Sequence, residues 1–306
     1  MLVTVAVCTR NRARSLARML ASLAAMPPPD CAWEVLVVDN ASSDDTDDVL
    51  AAFAGRLPLR REREPQPGIS YARNRAIATA QGTYITWTDD DVVVDRDWLA
   101  AYLRAFARWP EAALFGGRIV PVLLPPQVAW VRDNGALLAH PLGLREFGPV
   151  ALPLSRAEDR LPFGGNCAVR MAKQRRFLYD PALGAGPLRR LGEETAVFEA
   201  MLAAGCTGWW VPDSRVEHMI GPERQTVAHV RGWFAAAAAT DAYRHGSTSR
   251  RLFGVPRWLW RRAAGARLDY HVGRLTAPPA IWLPRLIALA QAEGAIRYWW
   301  QAPRRG

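Results

Sequence analysis

The sequence predicts an α/β fold, in which a mostly parallel central sheet has helices on both faces and a basic, Trp-rich helical extension follows. Two observations predict the sheet. The first 120 residues alternate strand-like runs with segments of helical periodicity, and these runs are short and apolar. A third observation predicts the extension, because the net positive charge is confined to the last part of the chain.

The strands and helices alternate in a regular order. Strand-like runs occupy residues 2–8, 33–38, 57–63, 84–88 and 112–120. Helical spacing occupies residues 15–26, 44–54, 69–80 and 97–108. Ligands of such sheets bind at the carboxyl ends of the strands. We therefore expect Asp39 and Asp89, which each follow a strand directly, to lie at the same edge.

The second half of the chain is less regular. Residues 121–162 are rich in Pro and Leu and predict irregular structure, and a helix at 193–204, a strand at 207–211 and a helix at 223–244 follow. The predicted domains are therefore 1–245 and an extension, 246–306. We divide the first domain into a nucleotide-binding half, 1–120, and an acceptor-binding half, 121–245.

The positive charge is concentrated at the C-terminal end. From Arg244 onwards the chain contains 12 arginines and 2 acidic residues, which leaves 27 basic and 27 acidic residues before it. Five tryptophans lie in the same segment: Trp258, Trp260, Trp282, Trp299 and Trp300. Because Trp favours the lipid headgroup region and Arg pairs with lipid phosphates, we favour an anionic membrane surface as a partner. Helices that simply cover the core are the second interpretation, and nucleic acid, which we do not expect as a partner, is the third.

The sequence favours a cytoplasmic protein that contacts the inner face of the plasma membrane peripherally. The four cysteines are widely spaced and form no C-x-x-C pattern, which favours reduced thiols. Arg10 follows the apolar N-terminus at once, unlike the pattern of a signal peptide. Residues 277–290 are apolar, but prolines interrupt them and the run is too short to span a bilayer.

Three consecutive carboxylates, Asp89, Asp90 and Asp91, end the apolar run at 84–88. Clustered carboxylates repel one another unless a cation holds them together. Oxygen ligands suit Mg²⁺ or Mn²⁺, which commonly bind a carboxylate or two together with substrate phosphates. The triplet therefore favours a divalent-metal site for a phosphorylated substrate. The alternative is an acidic helix N-terminus, where Asp is also common.

Six short segments carry a resemblance to a known family. They are residues 5–12 (VAVCTRNR), 37–44 (VVDNASSD), 68–76 (GISYARNRA), 89–91 (DDD), 163–166 (FGGN) and 192–194 (GEE). Through these segments, which occur in the family's order, the chain resembles a family 2 glycosyltransferase with the GT-A fold from residue 3 to about residue 245. The resemblance implies an inverting enzyme that moves a sugar from a nucleotide-diphospho-sugar, with UDP favoured, to an acceptor hydroxyl.

The resemblance implies roles for residues on the donor side. Asp91 would bind the metal ion directly, and Asp89 and His218 complete the implied metal set, although a lone His is often structural. Eight residues would contact the nucleotide-sugar: Thr9, Arg10, Asn11, Asp39, Arg73, Asn74, Asp89 and Asp90.

Alternatives stay open for three residues of this set. Asp39 would recognise uracil or ribose, but an Asp that caps the following helix fits the same position. Arg73 would pair with phosphate or stack on a base. Arg73 and Asn74 could instead be surface residues of a helix.

On the acceptor side, the resemblance implies contacts from Gly164, Gly165 and Asn166, although a plain structural turn fits these residues too. Glu194 is the favoured general base and Glu193 the second choice, because a carboxylate must take the proton of the attacking hydroxyl. The family typically has Glu-Asp here, so this chain departs from it by one methylene. Two glutamates that merely begin a helix are the alternative.

The predicted function is a metal-dependent glycosyltransferase of cell-surface polysaccharide or glycolipid synthesis, with Mn²⁺ or Mg²⁺ and a glycan or lipid-linked acceptor. A sugar-nucleotide nucleotidyltransferase is one alternative, but it needs an early Gly-rich loop that residues 5–12 lack. A catalytically inactive, membrane-associated binding protein is another, and the intact carboxylates argue against it. A dinucleotide-binding oxidoreductase does not fit, because no G-x-G-x-x-G follows the first strand.

Overall fold

The computed structural model describes residues 1–184 and 191–301. The chain divides into two compact units. The first unit consists of Met1–Val122, Gly143–Pro181 and Glu193–Met219. The second unit consists of the described parts of Leu123–Leu142, Ala182–Gly192 and Ile220–Gly306.

The strands and helices have the following bounds. The strands are β1 (Leu2–Thr9), β2 (Ala32–Asp39), β3 (Leu59–Arg63), β4 (Tyr84–Asp89), β5 (Val92–Val94), β6 (Leu114–Leu123), β7 (Asn166–Arg170), β8 (Gly208–Ile220), β9 (Arg251–Leu252) and β10 (Val255–Pro256). The α-helices are α1 (Ala13–Ala24), α2 (Thr46–Phe53), α3 (Ile69–Thr79), α4 (Trp98–Arg108), α5 (Ala129–Arg132), α6 (Met171–Gln174), α7 (Glu193–Ala203), α8 (Val227–His245), α9 (Arg257–Thr276) and α10 (Pro279–Gln301).

The central sheet has eight strands in the order β3-β2-β1-β4-β7-β6-β8-β5. The neighbours among β3, β2, β1 and β4 are parallel, as the alternating sequence pattern predicts. The pairs β4–β7, β6–β7 and β5–β8 are antiparallel. The α/β class is confirmed, but the sheet is mixed rather than mostly parallel, because the strands of the second half of the chain enter it in the opposite direction.

The register of the parallel strands brings polar residues to one edge. Thr9 lies opposite Asp39, and Cys8 lies opposite Asp89 in the neighbouring pair. Asp39 also lies opposite Arg63, at the end of β3. The residues that follow the apolar runs of β1, β2 and β4 therefore share the carboxyl edge of the sheet, as predicted for Asp39 and Asp89.

Apolar side chains on both faces of the sheet hold it in place. Val5 of β1 and Leu20 of α1 are fully buried in the core cluster on one face of the sheet. Leu36 of β2 and Ala76 of α3 are fully buried in the core cluster on the other face of the sheet. Each fully buried aliphatic side chain stabilises the fold by about 1.5–3 kcal/mol. Because both faces are packed, the strand ends that carry the polar residues are fixed in position.

β8 is much longer than the predicted strand at 207–211. The structure extends it to Ile220 through the polar stretch that contains Asp213 and Glu217, which breaks the apolar pattern. Its last part pairs with β5, a short strand that the sequence analysis did not predict. This pairing carries His218, in the extended part of β8, to the level of Val92, directly after the acidic triplet.

The second unit is formed mainly by α8, α9 and α10. Trp282, Leu283 and Leu286 of α10 are buried in one cluster with Val230 of α8. Gly294 of α10 lies against the backbone of α8, where a Cβ atom would collide with the carbonyl of Ala235.

This packing bears on the predicted domain boundary at 245/246. Small residues on both helices permit the close approach of α8 and α10, so α8 groups with the C-terminal extension rather than with the first unit. None of the helices in the described ranges 1–184 and 191–301 is long and apolar enough to cross a membrane.

Candidate active site

The nucleotide side of the site is built by the loops that follow β1 and β2. The backbone N–H of Asn11 donates to the Ser42 hydroxyl over 3.0 Å, and its side-chain oxygen accepts from the Ser43 N–H over 2.7 Å. Arg10 is exposed beside these contacts. Two hydrogen bonds thus join the β1 loop to the β2 loop and fix the polar edge at this end of the site.

Asp39 is almost completely buried at the end of β2. Its carboxylate accepts from the Ser42 N–H over 2.9 Å and lies 3.5 Å from the Arg61 guanidinium. Arg61 also contacts Asp47 of α2, at 2.5 Å. The bond to Ser42 lies within the turn after β2, whereas the N-cap residue of α2 is Asp45, so Asp39 does not cap this helix. The other carboxylate oxygen of Asp39 faces the Arg61 guanidinium.

Asp90 is one of the two buried members of the acidic triplet. It accepts hydrogen bonds from the Thr9 hydroxyl over 2.7 Å and from the Arg12 guanidinium over 2.6 Å. Burial raises the pKa of Asp90 to about 6, and the positive charge of Arg12 opposes that rise. Thr9 and Asp90 therefore bind each other, and together they anchor the end of β1 to the end of β4.

Asp91 is buried between a cation and an imidazole. Its Oδ2 atom lies 3.0 Å from Nη1 of Arg12 and 3.4 Å from Nε2 of His218. The backbone carbonyl of Asp91 also accepts from the Met219 N–H over 2.9 Å. A Cβ atom on Gly143 would lie 2.7 Å from Nδ1 of His218, so the absence of a side chain at 143 lets the imidazole take this position.

Asp91 and His218 are the residues that fit a divalent ion best. They offer one carboxylate oxygen and one imidazole nitrogen, which suit Mn²⁺ and Mg²⁺ when substrate phosphates and waters supply the remaining ligands. The described residues contain no cluster of three or more His, Cys, Asp or Glu that could hold a metal by itself. The donor set thus fits an ion that binds together with a phosphorylated substrate.

Arg73, which the sequence analysis assigned to the nucleotide-sugar, is the centre of a second group of charged residues in the site. It projects from α3 and is 5% exposed. Its guanidinium lies 3.0 Å from Glu193, 3.5 Å from Glu194 and 3.8 Å from Asp89. The same guanidinium sits over the ring of Tyr179, 5.1 Å from the ring centre. One buried cation therefore joins the acidic triplet to the two glutamates at the start of α7.

The two glutamates differ in their protonation. Burial, together with the negative charge of Glu194, raises the pKa of Glu193 to about 8. Burial also disfavours the charged form of Glu194, but Arg73, a hydrogen bond with Glu193 and the Gly164 N–H hold the pKa of Glu194 below its usual value. At neutral pH the pair thus holds one proton, on Glu193, and Glu194 is ionised.

This assignment predicts a pH-dependent effect of Glu193→Gln on stability. Because the folded protein binds the Glu193 proton up to about pH 8 and the unfolded chain loses it near 4.5, wild-type stability falls as pH rises between these values. The variant lacks this penalty and keeps a donor toward Glu194. We expect its melting temperature to match wild type at about pH 5 and to exceed it at about pH 9. An equal difference in melting temperature at both pH values would contradict the assignment.

The glycine turn approaches these charged groups closely. A Cβ atom on Gly165 would lie 2.9 Å from the Asp89 carboxylate, and one on Gly164 would meet the Arg73 guanidinium. Asp89 keeps 44% of its side chain exposed, the largest exposure in the triplet. The turn therefore leaves room for Arg73 and for an accessible Asp89 carboxylate.

Asn166 follows this turn but has no free hydrogen-bonding group. Its side-chain oxygen accepts from Trp98 and Tyr102, each over 2.8 Å. Its amide nitrogen donates to the carbonyls of Arg118 and Ser214 over 2.9 and 2.8 Å. With all four positions filled and the residue fully buried, we assign Asn166 a structural role rather than the expected acceptor contact.

Asn74 is likewise engaged with the backbone. Its amide donates to the Tyr179 carbonyl over 2.8 Å, and its oxygen accepts from the Tyr179 N–H over 2.9 Å. Asn74 therefore holds Tyr179 in place under the Arg73 guanidinium. We assign it this positioning role instead of a direct contact with the nucleotide.

The sequence analysis did not name three residues that contact the predicted site residues. Arg12 bridges Asp90 and Asp91, and Arg61 contacts Asp39. The ring of Tyr179 packs against the guanidinium of Arg73. Arg12 could have been found, because a basic residue just after β1 is placed to meet carboxylates at the end of the adjacent strand. Nothing in the local sequence marks Tyr179, which lies far along the chain.

The described fold is of the GT-A type. The described structure superposes on mannosyltransferase PcManGT from Pyrobaculum calidifontis, in complex with GDP-Man and Mn²⁺, with a TM-score of 0.60 and 22% identity, covering 98% of this chain and 88% of that one. It also superposes on S. aureus TarS 1–349 in complex with UDP, with a TM-score of 0.57 and 15% identity, covering 97% and 91%. At these identities the likeness establishes the fold.

The sequence comparisons relate the first part of the chain to a known family. Residues 4–144 match the model described as glycosyl transferase family 2. The succinoglycan biosynthesis protein ExoM of Rhizobium meliloti (strain 1021) is 26% identical over 272 residues, which cover 88% of this chain and 82% of that protein. The chain is similar to glycosyltransferase family 2 over residues 4–144, and it is a glycosyltransferase. The predicted recognition, fold and enzyme class are confirmed.

Proposed function

We propose that the protein transfers a sugar, with inversion, from a nucleotide-diphospho-sugar to an acceptor hydroxyl in the synthesis of a surface polysaccharide or glycolipid. The observation that carries the proposal is the linked set of Asp89, Arg73 and Glu194 at the carboxyl edge of the sheet. It places an ionised carboxylate next to the residues that we assign to the donor, as an inverting displacement requires.

The donor is proposed to bind along the loops after β1, β2 and β4. Asp39 and Asn11 line the nucleoside end, and Arg10 is exposed there as a cation for phosphate. Asp89, with its exposed carboxylate, is proposed to accept hydrogen bonds from ribose or the donor sugar. UDP is the nucleotide that we favour, although the structural neighbours include complexes with both UDP and GDP-Man.

Asp91 and His218 are proposed to hold a divalent ion, which supplies Lewis-acid stabilisation of the charge on the leaving diphosphate when bound. Arg12 lies on the same Asp91 oxygen that faces His218. We propose that Arg12 balances the buried charge of Asp90 and Asp91 while no ion is bound. It is partly exposed, so it can turn toward solvent or phosphate.

Glu194 is proposed as the general base. It is ionised because Arg73 and the Gly164 N–H stabilise its charge, and Glu193 carries the proton that the pair retains. A carboxylate in this state can accept the proton of the acceptor hydroxyl as that oxygen attacks the anomeric carbon. Gly164 and Gly165 are proposed to border the acceptor, because no side chain at these positions blocks the approach to Asp89.

The acceptor is proposed to be a growing glycan or a lipid-linked sugar, with the enzyme at the inner face of the plasma membrane. The printed function of ExoM, succinoglycan biosynthesis, supports the polysaccharide assignment. The charge of the C-terminal segment supports a peripheral position: 12 arginines against 2 acidic residues from Arg244 onwards.

A thermal-shift experiment with UDP, GDP and dTDP, each with and without Mn²⁺, tests the donor and metal assignments. A nucleotide at 100 times its dissociation constant stabilises the protein by about 2.7 kcal/mol. We expect one nucleotide to raise the melting temperature of wild type, and to do so only with Mn²⁺. Asp91→Asn should lose the shift, whereas Asp97→Asn, which changes an exposed carboxylate nearby, should keep it.

Two outcomes would contradict the proposal. One is a nucleotide-induced rise in melting temperature of equal size with and without Mn²⁺, which would mean that donor binding does not depend on the metal. The other is release of pyrophosphate from a nucleoside triphosphate and a sugar 1-phosphate, with no release of nucleoside diphosphate from a nucleotide-sugar, which would indicate nucleotidyl transfer.

A further inference from the structure

The outward face of α9 is apolar, which is unusual for a helix on the surface of a protein. Leu259, Ala266 and Gly273 form the buried face of this helix. A second apolar stripe runs along the side that points away from that face. It consists of Trp258, Leu268, Val272 and Leu275, which are 48%, 66%, 49% and 86% exposed.

The spacing of the stripe shows that it is one continuous face. Positions 258, 261, 265, 268, 272 and 275 are three or four residues apart, so they fall on one side of an α-helix, where Arg261 and Gly265 lie between Trp258 and the aliphatic residues that begin at Leu268. From 258 to 275 the stripe is about 26 Å long. It is therefore long enough to lie along a surface, not just to touch it at one point.

Exposed apolar side chains are concentrated in this part of the molecule. Among the residues that the structure describes, thirteen large apolar side chains are exposed, and eight of them lie between Leu252 and Trp300. Phe253, just before α9, is 76% exposed, and Ile281, just after it, is 47% exposed. Contiguous exposed apolar surface of this kind marks an interaction site.

The charge of α9 indicates what kind of partner this face meets. The helix contains five arginines and one acidic residue, Asp269. Arg261 lies on the stripe and Arg257 lies beside it, and neither forms an ion pair with a carboxylate in the described part of the chain. The face thus combines aliphatic side chains with cations that are not neutralised by the protein.

We propose that the outward face of α9 docks on an anionic lipid bilayer surface, with the helix axis parallel to the membrane plane. In this position Leu268, Val272 and Leu275 enter the boundary between headgroups and acyl chains, and Trp258 sits at headgroup level. Arg257 and Arg261 meet the lipid phosphates. The inference deepens the peripheral membrane position proposed above and rests on that part of the proposed function alone.

Two other partners fit this face less well. A second copy of the chain, docked through the same face, would bring Arg257 and Arg261 of one copy close to those of the other, with no carboxylate from the stripe to offset their repulsion. Nucleic acid would satisfy the arginines but would leave Leu268, Val272 and Leu275 without an apolar surface to cover them. An anionic bilayer satisfies both the charge and the apolar stripe.

Vesicle co-sedimentation of the full chain tests the proposal, with vesicles of phosphatidylcholine alone or mixed with phosphatidylglycerol. We expect binding to the mixed vesicles only. Leu268→Asp combined with Leu275→Asp should abolish it, and Arg257→Glu with Arg261→Glu should weaken it about 25-fold or more, at roughly fivefold for each arginine. Val150→Asp, at an apolar position 65% exposed in the first unit, is the matched control and should bind like wild type.

The variants change exposed positions, so their melting temperatures should stay close to wild type, and nucleotide release from the sugar donor without vesicles should be unchanged. Loss of vesicle binding with unchanged nucleotide release supports docking independently of the transfer chemistry. No binding of wild type to the mixed vesicles, or full binding by the double Leu variant, would overturn the proposal. Dissociation of a wild-type dimer by the Leu variant, with vesicle binding intact, would overturn it in favour of self-association.

Discussion

Glu194→Gln should lower kcat by about 10²–10⁴-fold while leaving donor binding nearly unchanged, because it removes the proton acceptor but keeps the shape of the side chain. The amide cannot accept the hydroxyl proton as the carboxylate does. The side chain at 194 then carries no charge at its 3.5 Å contact with Arg73. Glu193 still accepts a hydrogen bond from Arg73 over 3.0 Å, so the guanidinium keeps its position. The measurement is the initial rate of nucleotide release in the presence of acceptor, with the nucleotide-induced thermal shift recorded alongside.

Glu199→Gln is the matched control for this variant. Glu199 lies on the same helix, α7, and its carboxylate is 3.8 Å from the exposed Arg156, away from Arg73. We expect its rate to stay within about twofold of wild type, because its contact with Arg156 takes no part in the acid–base chemistry. If Glu193→Gln loses the rate and Glu194→Gln retains it, the roles of the two glutamates are reversed. If both retain it, the base lies elsewhere.

The sequence predicted the parallel half of the fold well, for a physical reason. β1, β2 and β4 are buried on both faces, so their apolar runs are continuous and end abruptly at Thr9, Asp39 and Asp89. Local composition is then sufficient to locate the strand and the edge. β5 has three residues and the end of β8 is polar, so both are stabilised by their pairing rather than by a local pattern.

The site shows the same division between local and tertiary information. The aspartates, the glycine turn and the two glutamates are short motifs, and the sequence located them. The partners that set their charge come from distant parts of the chain: Arg12 for Asp91, and Arg73 for Glu194. A motif names the residue type but not its hydrogen bonds, which is why Asn166 was expected at the acceptor although its side chain is fully engaged in the core.

Arg73→Met should destabilise the fold by about 3–5 kcal/mol, because it removes the one cation that joins three carboxylates and leaves buried negative charge without a partner. Methionine keeps much of the volume beside Tyr179, so the loss reports the charge rather than a cavity. The free energy of unfolding from urea denaturation measures it. Arg73→Lys keeps the charge but cannot reach Glu193, Glu194 and Asp89 as a planar fork, and an intermediate loss is expected.

The double variant Arg73→Met with Glu194→Gln separates the electrostatic explanation from a packing one. If the cost of Arg73→Met is uncompensated charge, it should be smaller in the Glu194→Gln background, with a coupling free energy of about 1–3 kcal/mol. It should also be smaller at acidic pH, because protonation of Glu194 removes the charge that Arg73 offsets in the wild type. Equal costs in both backgrounds and at both pH values would mean that Arg73 stabilises the site by packing alone. The low pKa of Glu194, and with it the assignment of the base, would then have to rest on the Gly164 N–H and Glu193.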